Sequence, residues 1–138
     1  MKEKELQDSV FKYLRKNNKK VFVEIPFMSR IIDLVLIDSD SITAIELKTQ
    51  NWKRAIDQLL ENRIAADYCC LCMPKQNMST SLVQIIQEEM ASYGFGFFLW
   101  DNNIKEMTVI LKGHQNQTFS KIAADKLIEN IRGLGWEI

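Results

Sequence analysis

The chain has 138 residues, 46% hydrophobic and 26% charged, the make-up of one domain with a real core rather than a disordered, fibrous or disulfide-stapled protein. Eighteen Lys and Arg balance eighteen Asp and Glu, so no global field draws the chain to nucleic acid and any such contact must come from a local patch. No apolar run approaches the roughly 20 residues of a membrane span, and the opening MKEKELQDSV lacks a signal-peptide core, so a cytoplasmic protein without membrane attachment is expected.

Residues 3 to 17 carry Leu6, Val10, Phe11 and Leu14 at helical spacing, and the Asn17-Asn18 pair ends this amphipathic helix. Its last turn and the residues after it, KYLRKNNKK, hold the best basic patch, including Lys16 and Lys19. Two readings are open for that patch, phosphate contact and simple complementation of the helix dipole. Three strand-like runs follow, VFVEIPF (21 to 27), RIIDLVLID (30 to 38) and SITAIELK (41 to 48), joined by links too short for anything but antiparallel hairpins. A helix over residues 52 to 66, with Trp52, Ala55, Ile56, Leu59, Leu60 and Ile64 on its apolar face, leads to the strand YCCLCM (68 to 73). That strand-helix-strand step predicts a right-handed crossover to a parallel neighbour. Cys69, Cys70 and Cys72 lie inside this run and read as reduced buried thiols. A helix (79 to 92), two strands (96 to 101 and 106 to 112) and a last helix (120 to 132) complete a single domain over residues 1 to 138, in the order αβββαβ then αββα.

The informative residues are charges inside apolar runs. Asp33 has apolar neighbours in both alternating series, so its ionised form needs a cationic partner. In the next strand Glu46 and Lys48 share one face with the small Ala44. A hairpin centred between Ser39 and Asp40 puts Asp33 directly opposite Glu46, and one centred between Met28 and Ser29 puts Glu24 opposite Asp33 on the other side. Three acids would then form a row across three strands, provided that no bulge shifts the register. Two opposed carboxylates suit a hard divalent cation, and metal-assisted phosphodiester hydrolysis needs such a cation to neutralise the phosphate and lower the pKa of a water. Lys48 would orient or activate that water, or steady charge on the phosphate; both roles are open.

Asp33, a gap of twelve residues, then Glu46-Leu47-Lys48 at a strand end resembles the PD-(D/E)XK nuclease superfamily of restriction enzymes, Holliday-junction resolvases and RecB-type nucleases. The likeness covers residues 3 to 74 and implies an α/β, restriction endonuclease-like αβββαβ core with a mixed central sheet flanked by helices, extended by the C-terminal αββα. It implies Asp33, Glu46 and the Leu47 carbonyl as ligands of Mg2+, with Mn2+ able to substitute, and Lys48 as the catalytic lysine. Ile32 stands where the signature has proline. Some members take a further glutamate from the first helix, for which Glu5 is the counterpart, whereas the strand ladder points to Glu24. Helix residues Gln58, Arg54 and Lys53 are placed for substrate contact, against the plain alternative of a solvated helix face. The expected activity is a Mg2+-dependent DNA endonuclease, acting as a homodimer or as a module of a larger nuclease complex. A module that keeps the fold but only binds DNA or a protein is the alternative, and a hydrolase of small phosphorylated substrates is disfavoured by the lack of a glycine-rich phosphate loop.

Overall fold

The computed structural model describes residues 1–138 apart from the side chain of Asn77. Four helices, α1 (Glu3–Lys16), α2 (Lys53–Asn62), α3 (Thr80–Tyr93) and α4 (Lys121–Gly133), surround six strands, β1 (Lys20–Phe27), β2 (Arg30–Asp38), β3 (Ser41–Leu47), β4 (Tyr68–Pro74), β5 (Gly96–Asp101) and β6 (Glu106–Leu111). The strands form one mixed sheet in chain order, β1-β2-β3-β4-β5-β6. Pairings are antiparallel for β1/β2, β2/β3 and β5/β6 and parallel for β3/β4 and β4/β5. The protein is therefore α/β, and its elements occur in the αβββαβ then αββα order expected from the sequence. No helix is long and apolar enough to cross a membrane.

Local chemistry explains the element ends. Met28 and Ser39, each the first residue of a two-residue turn, take left-handed backbone (φ 56 for both), which suits tight hairpins between twisted strands. The Ser79 hydroxyl accepts the Leu82 N–H at the start of α3, and Gly94 closes that helix at φ 78. Helix α2 stops at Asn62, four residues before the expected end: the Ala65 N–H turns back to the Asn62 carbonyl, and Asp67 then takes the Ile42 N–H on its carboxylate at 2.8 Å. Hydrogen bonding to the start of β3 thus overrides the apolar periodicity that extends through Ile64.

The sheet divides the core in two. On one face Ala55, Ile56 and Leu59 of α2, Ile86 and Met90 of α3, and Ala124, Leu127 and Ile131 of α4 pack on Val35, Ala44 and Leu71. On the other, Leu6, Val10 and Leu14 of α1 pack on Leu34, Ile45, Cys70 and Trp100. Burial drives both contacts, since each fully buried aliphatic side chain contributes about 1.5–3 kcal/mol. The C-terminal half is continuous with the same sheet, and α4 closes back on β1, where the Asn130 amide donates to the Pro26 carbonyl at 2.9 Å. Burial pushes the thiols of Cys69 and Cys72 up to about 12, and that of Cys70 upward as well, so all three are protonated, as expected of core cysteines.

Candidate active site

Asp33 and Glu46 lie where the ladder between β2 and β3 ends. Pairing runs in the expected register from Asp38↔Ser41 to Leu34↔Ile45. One step further, Oδ2 of Asp33 accepts the Leu47 N–H at 2.8 Å, so the carboxylate takes the place of a strand carbonyl. On the other side Val23↔Leu34 and Ile25↔Ile32 flank Glu24 and Asp33 in the expected register. The facing of the strands nevertheless slips there. Phe22 and Val35 pack on the α2 side and Val23 and Leu34 on the α1 side, yet Ile25 and Ile32 are again on the α2 side. Glu24 sits at the slip with left-handed backbone, φ 55, the kink that a strand irregularity introduces.

The three acids therefore do not form the uniform row expected from symmetric hairpins; they form a gradient of burial. Glu24 is exposed and pairs with Lys4 at 3.3 Å, Asp33 is half-buried, and Glu46 is 0% exposed. Oε2 of Glu46 accepts from the Asn62 amide at 3.0 Å, whereas its Oε1 is buried without a donor. Desolvation, and then the neighbouring Asp33 charge, push the Glu46 carboxyl up to about 8. Burial also raises Asp33, against the opposing pull of the Leu47 N–H and the Lys48 charge. Both carboxyls of the metal-free pair are therefore harder to ionise than free ones, and Glu46 favours its protonated form at neutral pH.

Asp33, Glu24 and Leu47 line a cavity of about 170 Å³ together with Glu3, Lys4 and Gln7 from the start of α1. The Gln7 side chain, 6% exposed, donates to the Asp33 carbonyl at 3.3 Å and so ties α1 to the acidic strand. Lys48, half-buried, continues β3, and its N–H donates to the Cys72 carbonyl at 3.1 Å. The glutamate that the first helix brings to this cavity is Glu3; Glu5 is exposed and does not line it.

The remaining expected residues fall in three places. Gln58 is half-buried, one turn before Asn62 on α2, and its Oε1 is buried without a partner. Lys53 and Arg54 are exposed at the start of α2, around a separate shallow cavity with Asn51 and Trp52. Lys16 and Lys19 are not brought to Asp33 and Glu46: Lys16 ends α1, about 14–20 Å along its axis from Gln7 and Glu3 by helix rise, and Lys19, just past the helix, pairs with Asp38 at 3.6 Å. Sequence reasoning passed over Gln7 and Asn62, both of which hold the acidic strands in place.

These residues fit a small hard cation. Glu46 Oε1 is a buried acceptor with nothing donating to it, the Asp33 carboxylate is adjacent, and both present oxygen. Among the described residues no three His, Cys, Asp or Glu side chains converge, so a metal here would rest on two carboxylates, main chain and water. Mg2+ accepts that arrangement because it keeps several waters and binds through one or two carboxylates.

No family model matches the chain, and no curated protein does. Among solved structures it is similar to a protein of unknown function from Silicibacter pomeroyi, with a TM-score of 0.67 and 13% identity over 92% of this chain and 81% of that one. The likeness is one of fold.

Proposed function

We propose that this chain is a Mg2+-dependent endonuclease with a restriction endonuclease-like core, hydrolysing phosphodiester bonds in DNA. The observation that carries the reading is the pair Asp33 and Glu46: two adjacent carboxyls at the ends of neighbouring strands, one with a buried oxygen that no donor reaches, and a lysine two residues further along the strand. Buried polar atoms are almost always paired, and beside the Asp33 carboxyl that oxygen is met either by a proton shared between the two acids or by a cation that replaces it.

In this reading Asp33, Glu46 and the Leu47 carbonyl would hold Mg2+, and Mn2+ would substitute. When bound, the ion supplies charge neutralisation at the phosphate and a more acidic water. The chain's residues do the rest. Asn62 occupies one oxygen of Glu46 and leaves the other free, and the Leu47 N–H fixes the Asp33 carboxylate. Gln7 holds the Asp33 backbone. Lys48 brings a positive charge whose field reaches Asp33, suited to orienting a water or balancing charge on the scissile phosphate. Glu24 lines the cavity from its exposed side, and Gln58, Arg54 and Lys53 on α2 are candidates for substrate contact. Cutting both strands of a duplex calls for two such sites, supplied by a second copy or by a larger nuclease complex.

The test is cleavage of supercoiled, linear, single-stranded and branched DNA with Mg2+ or Mn2+, beside Lys48→Ala. Cleavage that the substitution abolishes is expected. Wild-type protein that binds DNA and cuts none of these forms with either metal would overturn the nuclease reading in favour of a binding module.

A further inference from the structure

A second polar cavity, of about 230 Å³, shares no residue with the acidic one. It lies between Arg63, just past α2, the end of α3 at Tyr93 and Gly94, and the loop of residues 114 to 118. That loop has no regular secondary structure, yet its backbone is firmly held. The His114 N–H donates to the Gly94 carbonyl at 2.9 Å, the Asn116 N–H to the Asp67 carbonyl at 2.7 Å, and the Asn116 amide to the Ala66 carbonyl at 2.8 Å. Its entry is close-packed: a Cβ on Gly113 would meet the Gly96 nitrogen at 2.9 Å, so glycine lets the chain pass directly over β5.

The side chains on this fixed loop are left open. Among the described residues the side chains of His114, Gln115, Gln117 and Thr118 have no hydrogen-bond partner, and Arg63 has neither a side-chain hydrogen bond nor an ion pair. Arg63 also stands apart from the other arginines. Arg15 donates to the Val21 carbonyl and Arg30 pairs with Glu61, and both are exposed, as are Arg54 and Arg132; Arg63 alone is half-buried. Arg63 is thus a cation at the wall of an open polar cavity with no counter-ion among the described residues, free to receive an anion. No carboxylate lines the cavity to supply one.

The geometry points to a phosphate-binding site here, with Arg63 as its fork and the side chains of His114, Gln115, Gln117 and Thr118 as further donors. A guanidinium offers two parallel N–H groups to an oxyanion. A carboxylate has two oxygens, and the several other donors around this cavity match the greater number on a phosphate. The source is a free phosphate compound or the backbone of a nucleic acid; the recognition chemistry is the same. The site stands whether or not the acidic pair is catalytic, because the two share no lining residue.

The experiment is a titration of the 15N-labelled full-length chain with inorganic phosphate, read from backbone amide shifts. Saturable shifts over residues 114 to 118 are expected, weakened about tenfold in Arg63→Gln, in line with loss of one charge-assisted hydrogen-bonding group. Gln117→Ala, on the exposed part of the loop, is expected to weaken them about two- to threefold and provides a variant that leaves the core untouched. Lys48→Ala should leave them unchanged. A 5′-phosphorylated oligonucleotide that shifts the same amides and competes with phosphate identifies the nucleic-acid source; failure to compete, with phosphate still bound, identifies a free phosphate compound. No saturable shift in the wild type, equal affinity in Arg63→Gln and Gln117→Ala, dependence on Lys48, or acetate binding as tightly as phosphate would each overturn the proposal.

Discussion

The Leu47 N–H donates to Oδ2 of Asp33 at 2.8 Å, so a side chain of β2 completes the last rung of hydrogen bonding to β3. Substitutions at Asp33 should separate this structural bond from the charge. Asp33→Asn retains an acceptor for the buried N–H, whereas Asp33→Ala leaves it unpaired at a cost of about 1–3 kcal/mol. Both variants are expected to lose metal-dependent cleavage, and Asp33→Ala is expected to melt lower than Asp33→Asn. Equal melting temperatures would show that the bond contributes nothing to the fold.

In the proposed function, Glu46 sets stability against metal binding. Its carboxyl is pushed from 4.5 to about 8 by burial and by Asp33, so the folded state holds a proton that the unfolded chain gives up. The metal-free fold is therefore unpenalised below about pH 4.5 and loses stability progressively as pH rises towards 8. Glu46→Gln keeps the volume and an acceptor for Asn62 but cannot ionise. Without metal it should be more stable than the wild type by roughly 2–4 kcal/mol at pH 8 and about equal at pH 4.5, while metal-dependent cleavage is abolished. Urea unfolding at the two pH values measures this; a gain of equal size at both would place the penalty elsewhere than ionisation.

Asn62 tests the same carboxylate from the opposite side. Its amide donates to Oε2 of Glu46 at 3.0 Å. Asn62→Leu should cost about 1–3 kcal/mol of stability and weaken Mn2+ binding, because Glu46 loses the contact that selects which oxygen stays free. Calorimetry with Mn2+ on protein shown to be folded checks this, and unchanged affinity would reduce Asn62 to a packing residue.

Why the acids were legible in the sequence and their supports were not follows from the kinds of signal involved. Asp33 and Glu46 interrupt apolar strands, and the two-residue links at Met28-Ser29 and Ser39-Asp40 fix the pairing, so register could be inferred from turn length alone. The slip in facing at Glu24 could not, because left-handed backbone at a glutamate carries no compositional mark. The supports left a fainter trace. Gln7 occupies the stripe of Leu6, Val10 and Leu14, and Asn62 that of Ala55 and Leu59, each a polar residue at an apolar-face position. A buried amide at such a position needs a polar partner, but which partner is set by tertiary packing. The basic end of α1 is legible as a run of charge, whereas the helix length that sets Lys16 and Lys19 apart from Asp33 is a property of the folded chain.

Metal binding should report the Glu46 proton directly. A cation taking the free Oε1 displaces the proton held at neutral pH, so the apparent affinity for Mg2+ or Mn2+ should rise by up to about tenfold per pH unit below about 8 and level off above it. The same exchange predicts release of close to one proton per metal at pH 7, measurable by calorimetry in buffers of different ionisation enthalpy. Glu46→Gln removes the ligand charge and the proton together, so its residual binding should be weak and without proton release. Tight metal binding with no released proton in the wild type would remove Glu46 from the ligand set and leave its raised carboxyl as a feature of the core alone.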